Sequence, residues 1–219
     1  MSNFWGIAVS IVFVLVVIGT SEFLGKKQIL SNEGTRKFVH IGVANWWFIA
    51  MYFFDNKFYA AIVPAIFVIV NYISYKQQIF KSIERNSEEN SLGTVYYAIS
   101  LLILSLITFS EGYSPTIGLV GIMVMGYGDG LAAVIGQAYG KHKYTIFGAT
   151  KSMEGTLAMF LSSFIVTLLI LHFGSFPNVF LLPFVIAIFA TVIESISFAG
   201  FDNLTVPLLT SLIYYLLVY

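Results

Sequence analysis

The sequence predicts an all-α integral membrane protein, a polytopic bundle of about seven to eight transmembrane helices. The first observation is composition: 58% of the 219 residues are hydrophobic and 10% are charged, too few polar residues to cover a soluble core. The second is that the apolar residues fall in runs of about 20, the length that a helix needs to cross a bilayer. Residues 1–219 are therefore expected to form a single transmembrane domain.

Eight apolar segments are candidates for spanning helices. They are roughly 4–24, 37–54, 57–75, 92–110, 115–138, 153–173, 178–198 and 204–219. The first lacks a basic N-terminal region and a small-residue cleavage site, so we interpret it as a spanning helix rather than a cleaved signal peptide. The last is short and the turn at Asp55-Asn56 is tight, which leaves open seven helices and one re-entrant segment.

Basic residues predict the orientation. If all eight segments cross, one side receives the connections 25–36, 76–91, 139–152 and 199–203. That side holds 10 of the 11 basic residues, and only Lys57 lies opposite. The positive-inside rule then predicts a multi-pass cell-membrane protein with this side in the cytoplasm and both termini outside. The connection Lys76–Ser91 is either a short amphipathic helix at the interface or a solvated loop.

Arg36, Lys37 and His40 form the first polar group, at the start of the second segment. Arg36 and His40 are i, i+4 neighbours on one helix face, and such a cationic cluster suits an anion such as phosphate. Ordinary anchoring by positive residues also explains Arg36 and Lys37. It explains His40 less well, because His40 lies one turn inside the membrane edge.

Asp129 is the most informative residue, because a carboxylate inside an apolar run is costly and indicates function by default. It follows Pro115 by 14 residues, a rise of about 21 Å, which predicts a position in the cytoplasmic third of the bilayer. Gly128 and Gly130 flank it, and glycines here permit a broken or closely packed helix around a polar cavity.

The connection after the fifth segment supplies Lys141 and Lys143, and Lys151 and Ser152 follow at the start of the sixth helix. Exposed N–H groups and the helix dipole favour an anion there. This is not a Walker A loop, because Thr150 stands where that loop needs a glycine. Glu154, just inside the helix, is explained either as a cap or as a partner of Asp129 around a divalent cation.

The last polar group is Glu194 in the seventh segment and Asp202-Asn203 in the connection after it. Glu194, like Asp129, is an acid within an apolar run and therefore indicates a functional site. Asp202-Asn203 is explained equally well by a turn or by a functional role. In the eight-helix topology all these groups reach the cytoplasmic face. Carboxylates and lysines in one pocket suit a Mg²⁺–nucleotide complex, in which carboxylates hold the metal and cations neutralise the phosphates. A net charge of zero gives a nucleic-acid partner no electrostatic support.

Five motifs then identify a resemblance. In chain order they are Glu33-x-x-Arg36-Lys37-x-x-His40, Gly93-Thr94-x-Tyr96-Tyr97, Gly128-Asp129-Gly130 followed by Gly140-Lys141-x-Lys143, Lys151-Ser152-x-Glu154-Gly155-Thr156, and Glu194 followed by Asp202-Asn203-Leu204-x-x-Pro207. This order resembles the family of dolichol kinases, phytol kinases and yeast-type diacylglycerol kinases. The motifs around Asp129 and Lys151 are also distantly similar to those of phosphatidate cytidylyltransferases, but the basic, glycine-rich stretch ending in Asp-Arg-x-Asp is missing.

The resemblance implies a CTP-dependent lipid-alcohol kinase that phosphorylates a prenol-type lipid or diacylglycerol, with CTP as co-substrate and Mg²⁺ as cofactor. Its small size is most similar to the phytol and prenol kinase branch. The implied roles are as follows: Asp129, Glu154 and Asp202 hold Mg²⁺; Lys141, Lys143, Lys151, Ser152, Gly128, Gly130 and Asn203 bind the nucleotide; Arg36 and Lys37 approach the transferred phosphoryl group; and Glu194 or His40 orients or deprotonates the hydroxyl.

Two other functions compete with this interpretation. A cytidylyltransferase would make a CDP-lipid from a lipid phosphate and release pyrophosphate. An ion-coupled transporter would use Asp129 and Glu194 as an ion site in the middle of the membrane. The gathering of the motifs on one face argues against the transporter.

Overall fold

A computed structural model describes residues 3–77, 92–174 and 180–219. The described chain is almost entirely helical. Its elements are α1 Asn3–Lys26, α2 Asn32–Ala44, α3 Trp46–Phe53, α4 Lys57–Gln77, α5 Gly93–Thr108, α6 Pro115–Met123, a π-helical turn Val124–Asp129, α7 Gly130–Tyr139, strands β1 Lys143–Ile146 and β2 Ala149–Ser152, α8 Met153–Phe173, α9 Leu181–Ile196 and α10 Asp202–Val218.

Four helices are long and apolar enough to cross a membrane: Asn3–Lys26, Lys57–Gln77, Pro115–Tyr139 and Met153–Phe173. Three shorter apolar helices, α5, α9 and α10, accompany them. The chain is thus a helical membrane protein, and a count of seven or eight crossings stays a prediction. Each predicted apolar segment contains helix, although the start of segment 178–198 and nearly all of the connection Lys76–Ser91, with Lys81 and Arg85, lie outside the described residues.

The helix Pro115–Tyr139, formed by α6, the π-helical turn and α7, is the centre of the bundle. In its most apolar window 78% of the residues are buried, against 17% in α1. It packs against α2, α8 and α10, whereas α1 presents exposed side chains such as Val12, Leu15 and Val16. The central helix is therefore surrounded by protein, and α1 offers a broad apolar face to lipid.

The second predicted segment is two helices, not one, and it begins earlier than expected. The Ser31 side chain accepts a hydrogen bond from the Gly34 amide at 3.1 Å, which starts α2 at Asn32. The break between α2 and α3 falls at Asn45, whose side chain donates to the Ile41 carbonyl at 2.9 Å and accepts from the Tyr127 hydroxyl at 3.1 Å. A side chain bonded to its own helix competes with the regular ladder and bends it.

The connection 139–152 is not an irregular loop but contains an antiparallel hairpin of β1 and β2, which pairs Lys143 with Ser152. Its two-residue turn has positive φ at Phe147 (49°) and Gly148 (81°), the geometry that matches the twist of a hairpin. The hairpin leads into α8, where the Ser152 side chain accepts from the Gly155 amide at 3.1 Å as the N-cap. Lys151 therefore lies on a strand, one residue before the cap.

Candidate active site

A polar cavity of about 890 Å³ opens at one end of the bundle, a size within the range of small-molecule sites. It is formed by the start of α2, the π-helical turn and α7, the hairpin, the start of α8, the end of α9 and the start of α10. Its charged lining residues are the four cations Arg36, Lys37, Lys143 and Lys151 and the four acids Glu33, Asp129, Glu194 and Asp202. Ser152 and Asn203 also line it.

Asp129 lies in the wall of this cavity between Lys37 and His40. Lys37 Nζ donates to Asp129 Oδ2 at 2.5 Å, and both residues are only 4% exposed. His40 Nε2 lies 3.2 Å from the same oxygen, so the imidazole also contacts this carboxylate. The aspartate is thus a buried carboxylate whose charge is compensated by a lysine 92 residues away in sequence.

His40 is held in place from its other side by Tyr97. The two rings lie 4.7 Å apart between centroids, and the Tyr97 hydroxyl donates to the His40 carbonyl at 3.0 Å. His40 does not line the polar cavity itself, although it touches Asp129 in its wall. The sequence predicted that His40 lies at the site. In the structure His40 contacts Asp129 but is separated from the polar cavity by it.

Lys151 and Glu194 form the second ion pair of the cavity. Lys151 Nζ lies 2.5 Å from Glu194 Oε1 and also donates to the Glu194 backbone carbonyl. The side chains are 16% and 9% exposed, so this pair is more accessible than the Lys37–Asp129 pair. A phosphate entering the cavity could take the place of the carboxylate as partner of the lysine.

The remaining predicted cations differ in position. Arg36 lines the cavity and forms an ion pair with Glu33, with Nε 3.1 Å from Oε2. Lys143 on β1 is exposed but still lines the cavity, whereas Lys141, two residues earlier, is exposed and lies outside it. The structure therefore separates the two lysines that the sequence had grouped as phosphate ligands.

The start of α10 places Asp202 and Asn203 in the cavity. Asp202 Oδ1 accepts from the Asn203 amide at 2.9 Å and from Asn203 Nδ2 at 3.1 Å. The Asn203 side-chain oxygen is buried and has no hydrogen-bond partner among the described residues. Asp129, Asp202 and Glu194 lie near enough to interact electrostatically. Mg²⁺ is usually held by one or two carboxylates together with substrate phosphates and waters, so the oxygens of Asp129, Asp202 and Asn203 are of the kind that the predicted cofactor needs.

Glu154 does not join this set, contrary to its predicted role as a metal ligand beside Asp129 and Asp202. It is absent from the cavity lining, and its carboxylate is 2.8 Å from His142 Nδ1 and 3.3 Å from the His142 amide. Residues 3–77, 92–174 and 180–219 contain no group of three acidic or histidine side chains close enough to hold a metal. The first turn of α8 points Glu154 back to the hairpin, because the β1–β2 pairing brings His142 beside it.

Gly128 and Gly130 pack helices together and do not line the cavity. A methyl group at Gly128 would come within 2.7 Å of Met159 Sδ and Ser163 Oγ on α8, and one at Gly130 within 2.5 Å of Ile41 on α2. The two glycines thus allow α8 and α2 to approach opposite sides of the Asp129 turn. Gly130 thus lets α2, which carries Lys37, pack close to the Asp129 turn.

Sequence reasoning missed Gln137 and gave no role to Thr156, although it named Thr156 in a motif; both residues line the cavity. The signal for Gln137 was present: Asp129, Ala133 and Gln137 are four residues apart and share one helix face. Thr156 bonds to the Tyr144 hydroxyl at 2.5 Å, and this contact between hairpin and helix left no local trace in the sequence.

Several known proteins similar to this chain are named phytol kinases or probable phytol kinases. The chain is 40% identical over 199 residues to the phytol kinase of Synechocystis sp., an alignment that covers 90% of this chain and 84% of that protein. It is 32% identical over 215 residues to the probable chloroplastic phytol kinase 1 of Oryza sativa subsp. japonica, covering 89% and 67% of the two chains. For the chloroplastic phytol kinase 1 of Arabidopsis thaliana the identity is 28% over 216 residues, covering 89% and 70%. No protein-family model matches the sequence. No solved structure matches the chain.

Proposed function

The chain belongs to the phytol kinase family, and on that premise we propose that it transfers the γ-phosphoryl group of CTP to the hydroxyl of a prenol-type lipid, with phytol as the first candidate. The observation that supports this most is the position of Asp129. A buried carboxylate balanced by Lys37, in the wall of a cavity with three further cations, suits phosphoryl transfer. CTP as the donor follows from the family resemblance and is part of the proposal.

The cations of the cavity bind the triphosphate in this proposal. The Lys151 ammonium group exchanges the Glu194 carboxylate for the phosphates as its ion-pair partner. Lys143 and Ser152, on the hairpin, make further contacts with the phosphates. Arg36, at the start of α2, faces the phosphoryl group that moves. Charge-assisted bonds of this kind are roughly twice as strong as neutral ones, and they position the phosphate chain.

Asp202 and Asp129 are the residues that would hold Mg²⁺, with the free oxygen of Asn203 beside them. When bound, the metal neutralises charge on the phosphate oxygens. Glu154 is left out of this set, because it is bonded to His142 outside the cavity.

In the transfer step the hydroxyl oxygen forms a bond to the γ-phosphorus, and the bond from that phosphorus to the oxygen bridging the β- and γ-phosphates breaks. CDP leaves with the bonding electrons. The hydroxyl proton passes to the imidazole of His40, whose positive charge is then compensated by Asp129 at 3.2 Å. Such a reaction depends on positioning and charge stabilisation more than on covalent chemistry by the protein.

The test is an assay of the purified protein in lipid nanodiscs with γ-labelled CTP or ATP and a panel of lipid alcohols. We expect label in a lipid monophosphate together with CDP, and a loss of rate on the order of 10²- to 10³-fold for Asp129→Asn. Release of pyrophosphate would instead indicate a cytidylyltransferase. A folded Asp129→Asn variant that keeps its rate would remove Asp129 from the reaction.

A further inference from the structure

A second, smaller pocket lies between α1, α2, α4 and α5, and its lining is mostly apolar. Ile18 comes from α1, Val43 from α2, Phe67 from α4, and Ala98 and Leu101 from α5. Its volume is about 80 Å³. Since a water-sized sphere needs about 10–15 Å³, this is room for roughly one five-carbon branched unit.

The apolar pocket adjoins the polar cavity, because Arg36 and Asn203 line both. His40, which touches Asp129 in the wall of the cavity, also lines the apolar pocket. The reacting groups of the proposed kinase therefore lie at the boundary between a charged space and an apolar one. A molecule with a polar head on a hydrocarbon tail would match this boundary.

One buried polar atom at the boundary, Asn203 Oδ1, has no hydrogen-bond partner among the described residues, and Asn203 is 5% exposed. His40 Nε2, beside it in the lining of the apolar pocket, has only the 3.2 Å contact with Asp129. Asn203 Nδ2 is bonded to the Gly200 carbonyl and to Asp202, which fixes the amide with its oxygen unpaired. A buried polar group without a partner is costly and indicates a missing ligand.

We propose that the apolar pocket binds the first isoprenoid unit of the acceptor alcohol and presents its hydroxyl to Asn203 and His40; this rests on the proposed kinase activity. The hydroxyl group first donates a hydrogen bond to Asn203 Oδ1. Its proton then passes to His40 Nε2 during phosphoryl transfer. The rest of the tail leaves between α1 and α4 beside Ile69, which is exposed on the outer face of α4. A phosphorylated product gains charge at the boundary with the apolar pocket, which favours its release.

The first test narrows the pocket in the full-length protein in nanodiscs. Ile18→Trp fills it, and we expect the KM for phytol to rise at least tenfold while the KM for CTP stays unchanged. Val16→Trp is the matched control, because Val16 is on the same helix but 60% exposed and outside the pocket. Equal phytol KM values for the two variants would overturn the pocket assignment and leave the kinase intact.

The second test does not depend on catalysis. A 2,3-dihydrogeranylgeraniol analogue, in which a diazirine replaces the CH₂ next to the hydroxyl-bearing carbon, is cross-linked to the protein, and the labelled peptides are mapped. We expect label near Ile18, Phe67 or Ala98, reduced by Ile18→Trp and not by Val16→Trp. Label only on the outer faces, at Val16 or Ile69, would overturn the proposal. If no alcohol is phosphorylated by the unsubstituted protein, the kinase proposal fails, and the label still decides whether the pocket binds an isoprenoid alcohol.

Discussion

The ion pairs inside the cavity and the pair on the outer side of the hairpin have similar chemistry and different surroundings. Lys37 and Asp129 are 5% and 6% exposed in their side chains, whereas His142 and Glu154 are 79% and 27% exposed. A buried pair has lost its hydration, and its attraction only partly offsets that cost. An exposed pair gives little stability and costs little. The buried pairs therefore support the proposed site, and the exposed pair is a surface contact of the hairpin.

The comparison also explains why one predicted metal ligand lies outside the site. Glu154 lies at the start of one apolar run and Glu194 near the end of another, and the sequence predicted a role in the site for each. In the structure Glu194 is 6% exposed and paired with Lys151 in the cavity, while Glu154 faces His142. Burial together with a cation, rather than position in a motif, distinguishes the two.

The largest effect is expected from breaking the deepest pair with Lys37→Met. This leaves the Asp129 carboxylate buried without its cation, which costs about 3–5 kcal/mol of unfolding free energy. Thermal unfolding in detergent measures it. The double variant Lys37→Met/Asp129→Asn removes both charges and should recover most of the stability, without activity. If Lys37→Met alone were as stable as the unsubstituted protein, the buried Lys37–Asp129 pair would contribute no more to stability than the exposed His142–Glu154 pair.

A smaller effect is expected at the more accessible pair. Lys151→Ala removes a charge-assisted contact with phosphate worth about 1.5–3 kcal/mol, so the KM for CTP should rise roughly 10- to 100-fold. Steady-state kinetics at fixed lipid concentration measures it. Lys57→Ala, at the start of α4 and outside the cavity lining, is the control and should change neither KM. An unchanged KM for CTP in Lys151→Ala would contradict the phosphate role.

Lys143 and Lys141 are both exposed, but only Lys143 lines the cavity, so the two lysines test whether a position in the cavity lining affects CTP binding when burial is the same. Lys143→Ala should raise the KM for CTP about two- to fivefold, because an exposed charge contributes about 1 kcal/mol or less. The same substitution at Lys141, two residues away but outside the cavity, should have no effect. The difference should shrink in high salt, since exposed charges are screened. Equal effects of the two substitutions would mean a diffuse basic patch rather than a defined contact.

The smallest effect is expected at the outer pair. Glu154→Gln keeps the shape of the side chain and removes its charge, and we expect an unchanged melting temperature and unchanged kinetics at every Mg²⁺ concentration. A metal ligand would behave differently: its loss would raise the Mg²⁺ concentration needed for half-maximal rate. Such a shift would return Glu154 to the metal site and require the hairpin to move during catalysis.

Sequence alone determined the class of protein, the positions of the apolar helices and the family. These depend on local properties, because a run of about 20 apolar residues specifies a membrane helix wherever it packs. It also predicted a site at Asp129, since a carboxylate in such a run is costly in any arrangement, and the structure shows this residue buried and paired with Lys37. The break at Asn45 was not predictable, because it accompanies a bond to Tyr127, 82 residues away.

Only the tertiary structure decided which charges meet. Lys37 pairs with Asp129 across 92 residues and Lys151 with Glu194 across 43, and no local pattern distinguishes these pairs from Glu154 with His142. The same holds for the two glycines beside Asp129, which touch neighbouring helices and not the cavity. A membrane helix is determined by the length of one apolar run, which can be read from the local sequence. The partner of a buried charge depends instead on which helices pack together, and that is a property of the whole bundle.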